Sequence, residues 1–329
     1  MLRRAPSPGF TIVTALGAGL LAAASFAGLA CGGRGADQPV SGPVVHDGLG
    51  RAVTLRTPRP SRIVSLAPSA TDTLAALGAG ARLVGVSDFC HPPPEASGAR
   101  RIGGLLTPDL ETIRSLHPDL LVGSTSGNDP GLASQAASLG LPLYILDAPD
   151  VAHVLSGIAG LADAIGDHAR GVEVVQGLQA RLEVLSRTLA GRPRPRVLFV
   201  IWGDPLVVPG ARAFLTDALT KAGGQSVTGD VAAAHPTFSA EAAVARAPEV
   251  ILMTADNREV AERIRTDPAW AGVPAVRTGR VAVVGDEVVR PGPEVVAGIE
   301  EMARVIHPEA FENGRESKDA DPAVSPRKN

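Results

Sequence analysis

The stretch DLETIRSLHPDLLV at 109–122 has a counterpart at 239–252, SAEAAVARAPEVIL. In each copy a capping residue, Asp109 or Ser239, opens a short apolar helical run, and a glutamate, Glu111 or Glu241, follows on the first turn. Seven residues after that glutamate a proline, Pro118 or Pro248, stops the helix, and a β-rich run begins. The same helix-to-strand unit occurring twice requires two similar lobes, each presenting a glutamate at the start of an equivalent helix. At 329 residues and 45% hydrophobic content, the chain has enough apolar material for a core in each lobe. With only 3% aromatic residues, those cores must be built from Ala, Val, Leu and Ile.

The elements around the repeat alternate. A hairpin is expected over 44–55, with its turn around Gly48 to Gly50. Strand RIVSL (62–66), a helix over 70–77 ended by Gly78, strand LVGVS (83–87), the helix after Asp109, strand DLLVG, a helix near 131–139 and strand LYILD (143–147) follow. Strands separated by helices of this length imply a parallel sheet covered on both faces. From 151 to 189 the chain has no proline and is rich in Ala, Leu, Val, Glu and Arg. Gly166 can end one helix there and Asp167 cap the next, giving helices over 151–165 and 168–189. The second is far longer than the average of about 11 residues, although Gly171 and Gly177 interrupt it. After the basic GRPRPR at 191–196 come strand VLFVIW, a helix over 213–222, the helix after Ser239, strands VILMT and VAVVG, and a final helix over 294–306.

The expected fold is therefore α/β, with two Rossmann-like three-layer lobes whose central, mostly parallel sheets are joined by one long α-helix. A single helical connection permits only small lobe movements. The chain divides into a signal and cleavage site (1–31), a Gly-rich tether (32–43), a first lobe (44–150), connecting helices (151–190), a second lobe (191–310) and a tail without an apolar face (311–329), expected to be disordered.

Arg3 and Arg4, an apolar stretch over 10–30 and then Cys31 form an export signal. Leu29-Ala30-Cys31-Gly32-Gly33 resembles a lipoprotein cleavage site, although Gly28 stands where leucine is usual. Lipidation at Cys31 would tether the protein to the extracytoplasmic face of a membrane; plain secretion or a retained signal-anchor are the alternatives, since ~20 apolar residues can span a bilayer. Cys90 is the other of the two cysteines, so with Cys31 lipidated no disulfide supports the fold. A net charge of -3, with no basic stripe, argues against nucleic acid as a partner.

SRIVSLAPSATDTLAALGAGARLVGVSDFCHPPPEA at 61–96, PDLETIRSLHPDLLVGS and HPTFSAEAAVARAPEVILMT together resemble the periplasmic and lipoprotein substrate-binding proteins of cobalamin, heme and ferric-siderophore importers. The likeness spans 44–307 and is closest to the cobalamin branch through VGVSDFCHPPPE. It implies a monomer that captures a large chelate between its lobes and hands it to an ABC importer, a permease dimer with ATPase subunits. A corrinoid is then the transported ligand, and no cofactor of the protein's own is implied. Glu111 and Glu241 match the family's permease-docking glutamates. The plainer reading is that each complements its helix macrodipole, worth ~0.3–1 kcal/mol.

By the same matching, the cleft lining comprises Phe89, Leu105, Trp202, His235, Asp286 and Arg290. Leu105, Ser124 and His235 stand where the cobalamin branch has aromatics, whose flat faces cover a macrocycle. Phe89 lies in a turn after a strand, and Trp202 at the carboxyl end of one, where α/β proteins gather ligands; a core plug is the alternative for the tryptophan. His235 suits an amide or an axial position on cobalt or iron, although a lone loop histidine is more often simply solvated. Asp286 and Arg290 are expected to form a polar pair for ligand amides or carboxylates, or else a surface salt bridge of little worth.

Other chemistries fit poorly. Cys90 and His91 are adjacent, so their side chains diverge, and no second such pair lies near in sequence to complete a zinc or manganese site. Gly78-Ala79-Gly80 ends a helix and precedes a strand, the reverse of a dinucleotide fingerprint, and GxSxG, P-loop and HExxH motifs are absent, so an enzyme is not expected. A ferric-siderophore or heme cargo is the alternative within the family; it would call for several cleft arginines or an iron ligand, and Tyr144, the sole tyrosine, lies on an expected strand. A binding protein serving a sensor is a third reading.

Overall fold

The computed structural model describes residues 42–312. The export signal, Cys31, all but the end of the tether, and residues 313–329 lie outside the described residues.

A hairpin of β1 (Val44–His46) and β2 (Ala52–Thr54) opens the chain. The first lobe then runs β3 (Ile63–Ser65), α1 (Pro68–Ala76), β4 (Leu83–Val86), β5 (Arg100–Arg101), α2 (Leu110–Ser115), β6 (Leu120–Ser124), α3 (Leu132–Ser138) and β7 (Leu143–Leu146). Its sheet has the order β5-β4-β3-β6-β7 with every pair parallel. Helices α4 (Val151–Ala164) and α5 (His168–Leu189) lead to the second lobe. There β8 (Arg196–Val200), the short antiparallel pair β9 (Trp202–Gly203) and β10 (Leu206–Val207), α6 (Phe214–Lys221), β11 (Gln225–Ser226), α7 (Ala240–Ala245), β12 (Val250–Thr254), α8 (Arg258–Thr266), α9 (Pro274–Arg277), β13 (Val281–Val284) and α10 (Val295–Ile306) follow. The main sheet is again all parallel, ordered β11-β8-β12-β13. Strands β3, β6, β7 and β12 are buried along their whole length because helices cover both faces, which is why they read as runs without polar alternation.

The sequence repeat is a structural one. Asp109 caps α2 by accepting from the Glu111 and Thr112 N–H groups at 3.1 and 3.0 Å, and Ser239 caps α7 by accepting from Ala242 N–H at 3.1 Å. Each helix ends in a non-glycine residue in the left-handed region, His117 (φ 46°) and Ala247 (φ 45°), directly before the proline. One residue beyond that proline, Asp119 accepts from Arg62 N–H at 3.0 Å and Glu249 from Arg196 N–H at 2.8 Å. These bonds pin β6 to β3 and β12 to β8 in corresponding registers.

Helix α5 buries Gly171, Leu178 and Leu185, one residue every seven, and is fixed to both lobes. Arg170 donates to the Ala76 carbonyl at 3.0 Å on the first-lobe side, and Arg181 makes two 3.0 Å bonds to Glu300 on the second. Asp167 does not cap α5, contrary to the sequence reading. Its carboxylate is drawn to Arg82 and to Arg59, at 2.8 Å from the latter, because two guanidiniums from the first lobe outcompete a single backbone N–H. The interruptions at Gly171 and Gly177 are not equivalent. A Cβ on Gly171 would overlap the Ala162 methyl of α4, whereas a Cβ on Gly177 meets nothing within 4 Å. Gly171→Val is therefore expected to force α4 and α5 apart and destabilise by ~1–3 kcal/mol, while Gly177→Ala stabilises by up to ~1 kcal/mol. Urea unfolding of the two variants reads the difference, and equal effects would contradict this packing.

The hairpin tip covers the outer edge of β7. Gly48 N–H donates to the Ile145 carbonyl at 2.8 Å, an approach that leaves no room for a Cβ, which would lie 2.5 Å from Asp147 N. Asp47, its side chain fully buried, accepts from Leu49 N–H (3.1 Å), Arg51 N–H (2.9 Å), the Arg51 guanidinium (2.9 and 2.5 Å) and Ile145 N–H (3.4 Å).

Candidate functional site: a cleft between two carboxyl edges

Because each sheet is parallel, all its strands end on one edge. Helix α1 departs from the carboxyl end of β3, and the loop after β13 meets it: Arg290 Nη1 lies 3.5 Å from Asp72 Oδ2, and Gly292 faces the Ser69 carbonyl. This contact brings the carboxyl edges of the two sheets together, and the expected cleft would lie between them, the position at which α/β sheets bind ligands.

The six residues expected to line it all fall on these edges. Phe89 follows β4 and Leu105 follows β5 in the first lobe; Trp202 follows β8, His235 lies between β11 and α7, and Asp286 and Arg290 follow β13 in the second. Phe89 is 60% and Trp202 57% exposed, which rules out the core plug for Trp202; the second tryptophan, Trp270, is the buried one. Both aromatics are held from behind. Arg101 donates to the Ser87 and Cys90 carbonyls at 2.8 Å each, fixing the turn that carries Phe89, and Trp202 Nε1 donates to the Asp204 carbonyl at 2.9 Å. His235 is exposed in a segment tied to β10 through Val208 N–H to the Pro236 carbonyl, and Leu105 is half-buried. Cys90 is buried 3.2 Å from Ser87 Oγ while His91 points outward, so this pair does not converge on a metal. Among the described residues no group of three His, Cys, Asp or Glu side chains could hold a metal ion.

The expected Asp286–Arg290 pair is not formed. Residues Asp286–Val289 make a single 3-10 turn that leaves Asp286 in solvent, and Arg290, extended at the end of that turn, reaches Asp72 on α1 of the first lobe. Burial raises the Asp72 carboxyl above its ordinary range and Glu294 adds to the rise, while Arg290 and His91 oppose it. Arg290 Nε is buried without a partner, an arrangement that costs ~1–3 kcal/mol until an acceptor reaches it.

Sequence reasoning also missed two asparagines. Asn128 donates to the Leu66 and Leu105 carbonyls at 2.9 Å each, and Asn257 donates to the Ile201 carbonyl at 3.0 Å. In both lobes a buried asparagine after the repeated strand ties down the carboxyl end of the first strand. The two repeats are offset by 130 residues (109 to 239), which sets Asn128 opposite Arg258, so the two asparagines correspond only when a gap of one residue is allowed.

Glu111 and Glu241 are exposed on the first turns of α2 and α7. Each helix starts beside the carboxyl edge, with Asp109 N–H on the Ile102 carbonyl (2.8 Å) and Phe238 N–H on the Leu206 carbonyl (2.8 Å), and then descends to the strand that follows. One glutamate thus flanks the cleft on each lobe. A separate groove of about 840 Å³ lies along β11, towards the opposite end of β8. Its arginines are already engaged, Arg246 by Asp230, Arg196 by Glu249 and Arg194 by the Thr220 carbonyl.

Residues 63–288 match the profile described as periplasmic binding protein. The chain belongs to the periplasmic binding protein family. This periplasmic binding protein is 24% identical over 256 residues to the vitamin B12-binding protein of Vibrio parahaemolyticus, covering 76% of the chain and 91% of the relative. It is 26% identical over 247 residues to that of Vibrio cholerae, covering 74% and 88%. Among solved structures it superposes on the periplasmic vitamin B12 binding protein of V. cholerae with a TM-score of 0.69 at 25% identity, covering 77% of this chain and 98% of that one. It superposes on a periplasmic heme-binding protein from Roseiflexus with a TM-score of 0.68 at 26% identity, covering 76% and 99%. The family read from the three sequence motifs and the bilobed α/β fold are both borne out, and the relatives are binding proteins rather than enzymes. No helix among the described residues of this periplasmic binding protein is long and apolar enough to cross a membrane.

Proposed function

We propose that this protein captures a corrinoid, cobalamin or the smaller cobinamide, between its lobes and delivers it to the permease of an ABC importer. The observation that carries this reading is the pair Phe89 and Trp202, two largely exposed rings on opposite carboxyl edges of a chain otherwise poor in aromatics. Such rings, each more than half exposed, suit the flat apolar faces of a macrocycle. The vitamin B12-binding relatives point the same way. Leu105, His235, Asp286 and Arg290 complete the proposed lining, and Glu111 and Glu241 are the proposed docking charges. Residues 44–150 and 191–310 act as the two jaws, 151–190 as their frame, and a lipid on Cys31 holds the monomer at the membrane.

Titration of the mature protein with cyanocobalamin, cobinamide, hemin and ferric siderophores tests the reading. Corrinoid should quench the exposed Trp202 and leave the emission of buried Trp270 little changed, and Trp202→Phe should remove that signal. A heme or ferric-siderophore cargo is the second reading, favoured by the similarity to the Roseiflexus heme-binding structure and by exposed His235 as an axial donor. Tight hemin binding without corrinoid binding would establish it in place of the first.

A further inference from the structure

We infer that Asp72 and Glu294 make an anion filter where the loop after β13 meets α1: Asp72 neutralises Arg290, and the two carboxylates disfavour chelates that carry carboxylates, leaving neutral, amide-bearing chelates admitted. The inference rests on the corrinoid reading and supplies a reason for its selectivity. Arg290 is the cationic side chain that the second lobe sends across the cleft, and its Nη1 faces Asp72 Oδ2 at 3.5 Å. Asp72 is 20% and Arg290 32% exposed, so the pair is shielded from solvent enough for its charges to be felt by a bound cargo. Gly292, packed against the Ser69 carbonyl, holds the loop against α1, and Glu294 stands two residues further on. Asp286 and Glu287, on the turn before Arg290, extend the acidic surround.

The charges acting on Asp72 are Arg290 and His91 on one side and Glu294 on the other, and burial outweighs them all. A guanidinium already paired to Asp72, with the Glu294 charge acting on that same carboxylate, has little attraction left for an incoming anion. A cargo carboxylate placed there would meet Asp72 and Glu294 at close range, and like charges brought together in a shielded site cost several-fold to many-fold in affinity. An amide suffers no such repulsion. Its carbonyl can accept from the guanidinium, including the Nε–H that lacks a partner.

The test compares hemin, with two carboxylates, against dicyanocobinamide, with none, on the wild-type mature protein and on Asp72→Asn and Glu294→Gln. Both substitutions are expected to tighten hemin binding by roughly tenfold at low salt, with the gain shrinking as salt rises, while cobinamide affinity stays unchanged. Glu294 is exposed, so its variant retains the fold even if Asp72→Asn perturbs α1. Hemin affinity that does not move in either variant, or hemin and cobinamide affinities that move together, would overturn the filter. The wild-type preference between cargoes judges the corrinoid reading separately. A wild type that binds no corrinoid but gains hemin on losing Asp72 would retire that reading and keep the filter.

Discussion

Replacing both Glu111 and Glu241 by lysine is expected to abolish cargo uptake while leaving the affinity of the free protein for its cargo unchanged. Both carboxylates are exposed, one on each lobe, and neither accepts a side-chain hydrogen bond that holds its own helix together; the caps are Asp109 and Ser239. Inside the protein each therefore contributes only the helix-dipole term of ~0.3–1 kcal/mol, a minor loss of stability. At a docked permease each would face an opposite charge, and severing a desolvated charge pair costs ~2 kcal/mol or more, roughly thirtyfold per lobe. Uptake by cells and cargo titration of the purified variant separate the two effects. A fall in cargo affinity, or uptake that survives the double reversal, would end the docking role.

Asp47→Ala should cost stability on the order of 3 kcal/mol, more than any other single substitution considered, although Asp47 lies in the opening hairpin outside both main sheets. Its carboxylate is fully buried and serves three backbone N–H groups and the Arg51 guanidinium, one of those N–H groups belonging to edge strand β7. Alanine would leave all of them without an acceptor. Arg51 is 35% exposed and recovers part of its loss in water, which is why the expected figure stays at the lower end for a broken buried pair. Asp47→Asn keeps an acceptor oxygen and should lose less. Urea midpoints of the three proteins give the ordering. Freed from its cover, the β7 edge also becomes open to pairing between molecules, so light scattering of Asp47→Ala near its midpoint should rise. A variant as stable as wild type would show that the hairpin is ornamental.

The fold could be read from the sequence because its determinants are local. Pro118 and Pro248 stop helices, Asp109 and Ser239 start them, and the runs LLVGS and VILMT are buried throughout because they lie between helices. Helix α8, REVAERIRT, escaped notice because only Ala261 and Ile264 are buried, too few apolar positions to set a period. The cleft was legible as a set of positions, since Phe89, Trp202 and Arg290 each follow a strand. Its charge pairing was not legible. Asp72 and Arg290 are far apart in the chain, and their meeting depends on how the loop after β13 seats on α1. Local proximity had favoured Asp286, four residues from Arg290, but a 3-10 turn sends the two in different directions. The same limit hid the reach of Asp47 to Ile145, which is set by the packing of a hairpin on a sheet edge. Asn128 and Asn257 escape a local reading too, because the carbonyls they hold, Leu66 and Ile201, belong to strands far back in the chain, and their equivalence is visible only when the two lobes are compared.

Helix α5 is continuous, its Gly171 is locked under α4, and it is bolted to the first lobe by Arg170 near its start and to the second by Arg181 past its middle. A frame of this kind is expected to store or release little energy on binding, so that empty and loaded forms should differ little in internal free energy. The ranking of cargoes by affinity then reads directly as a ranking of contacts, without a closure term shared among them. Each side chain exchanged in the cleft should move that ranking by its own contact energy, and exchanges on opposite jaws should add.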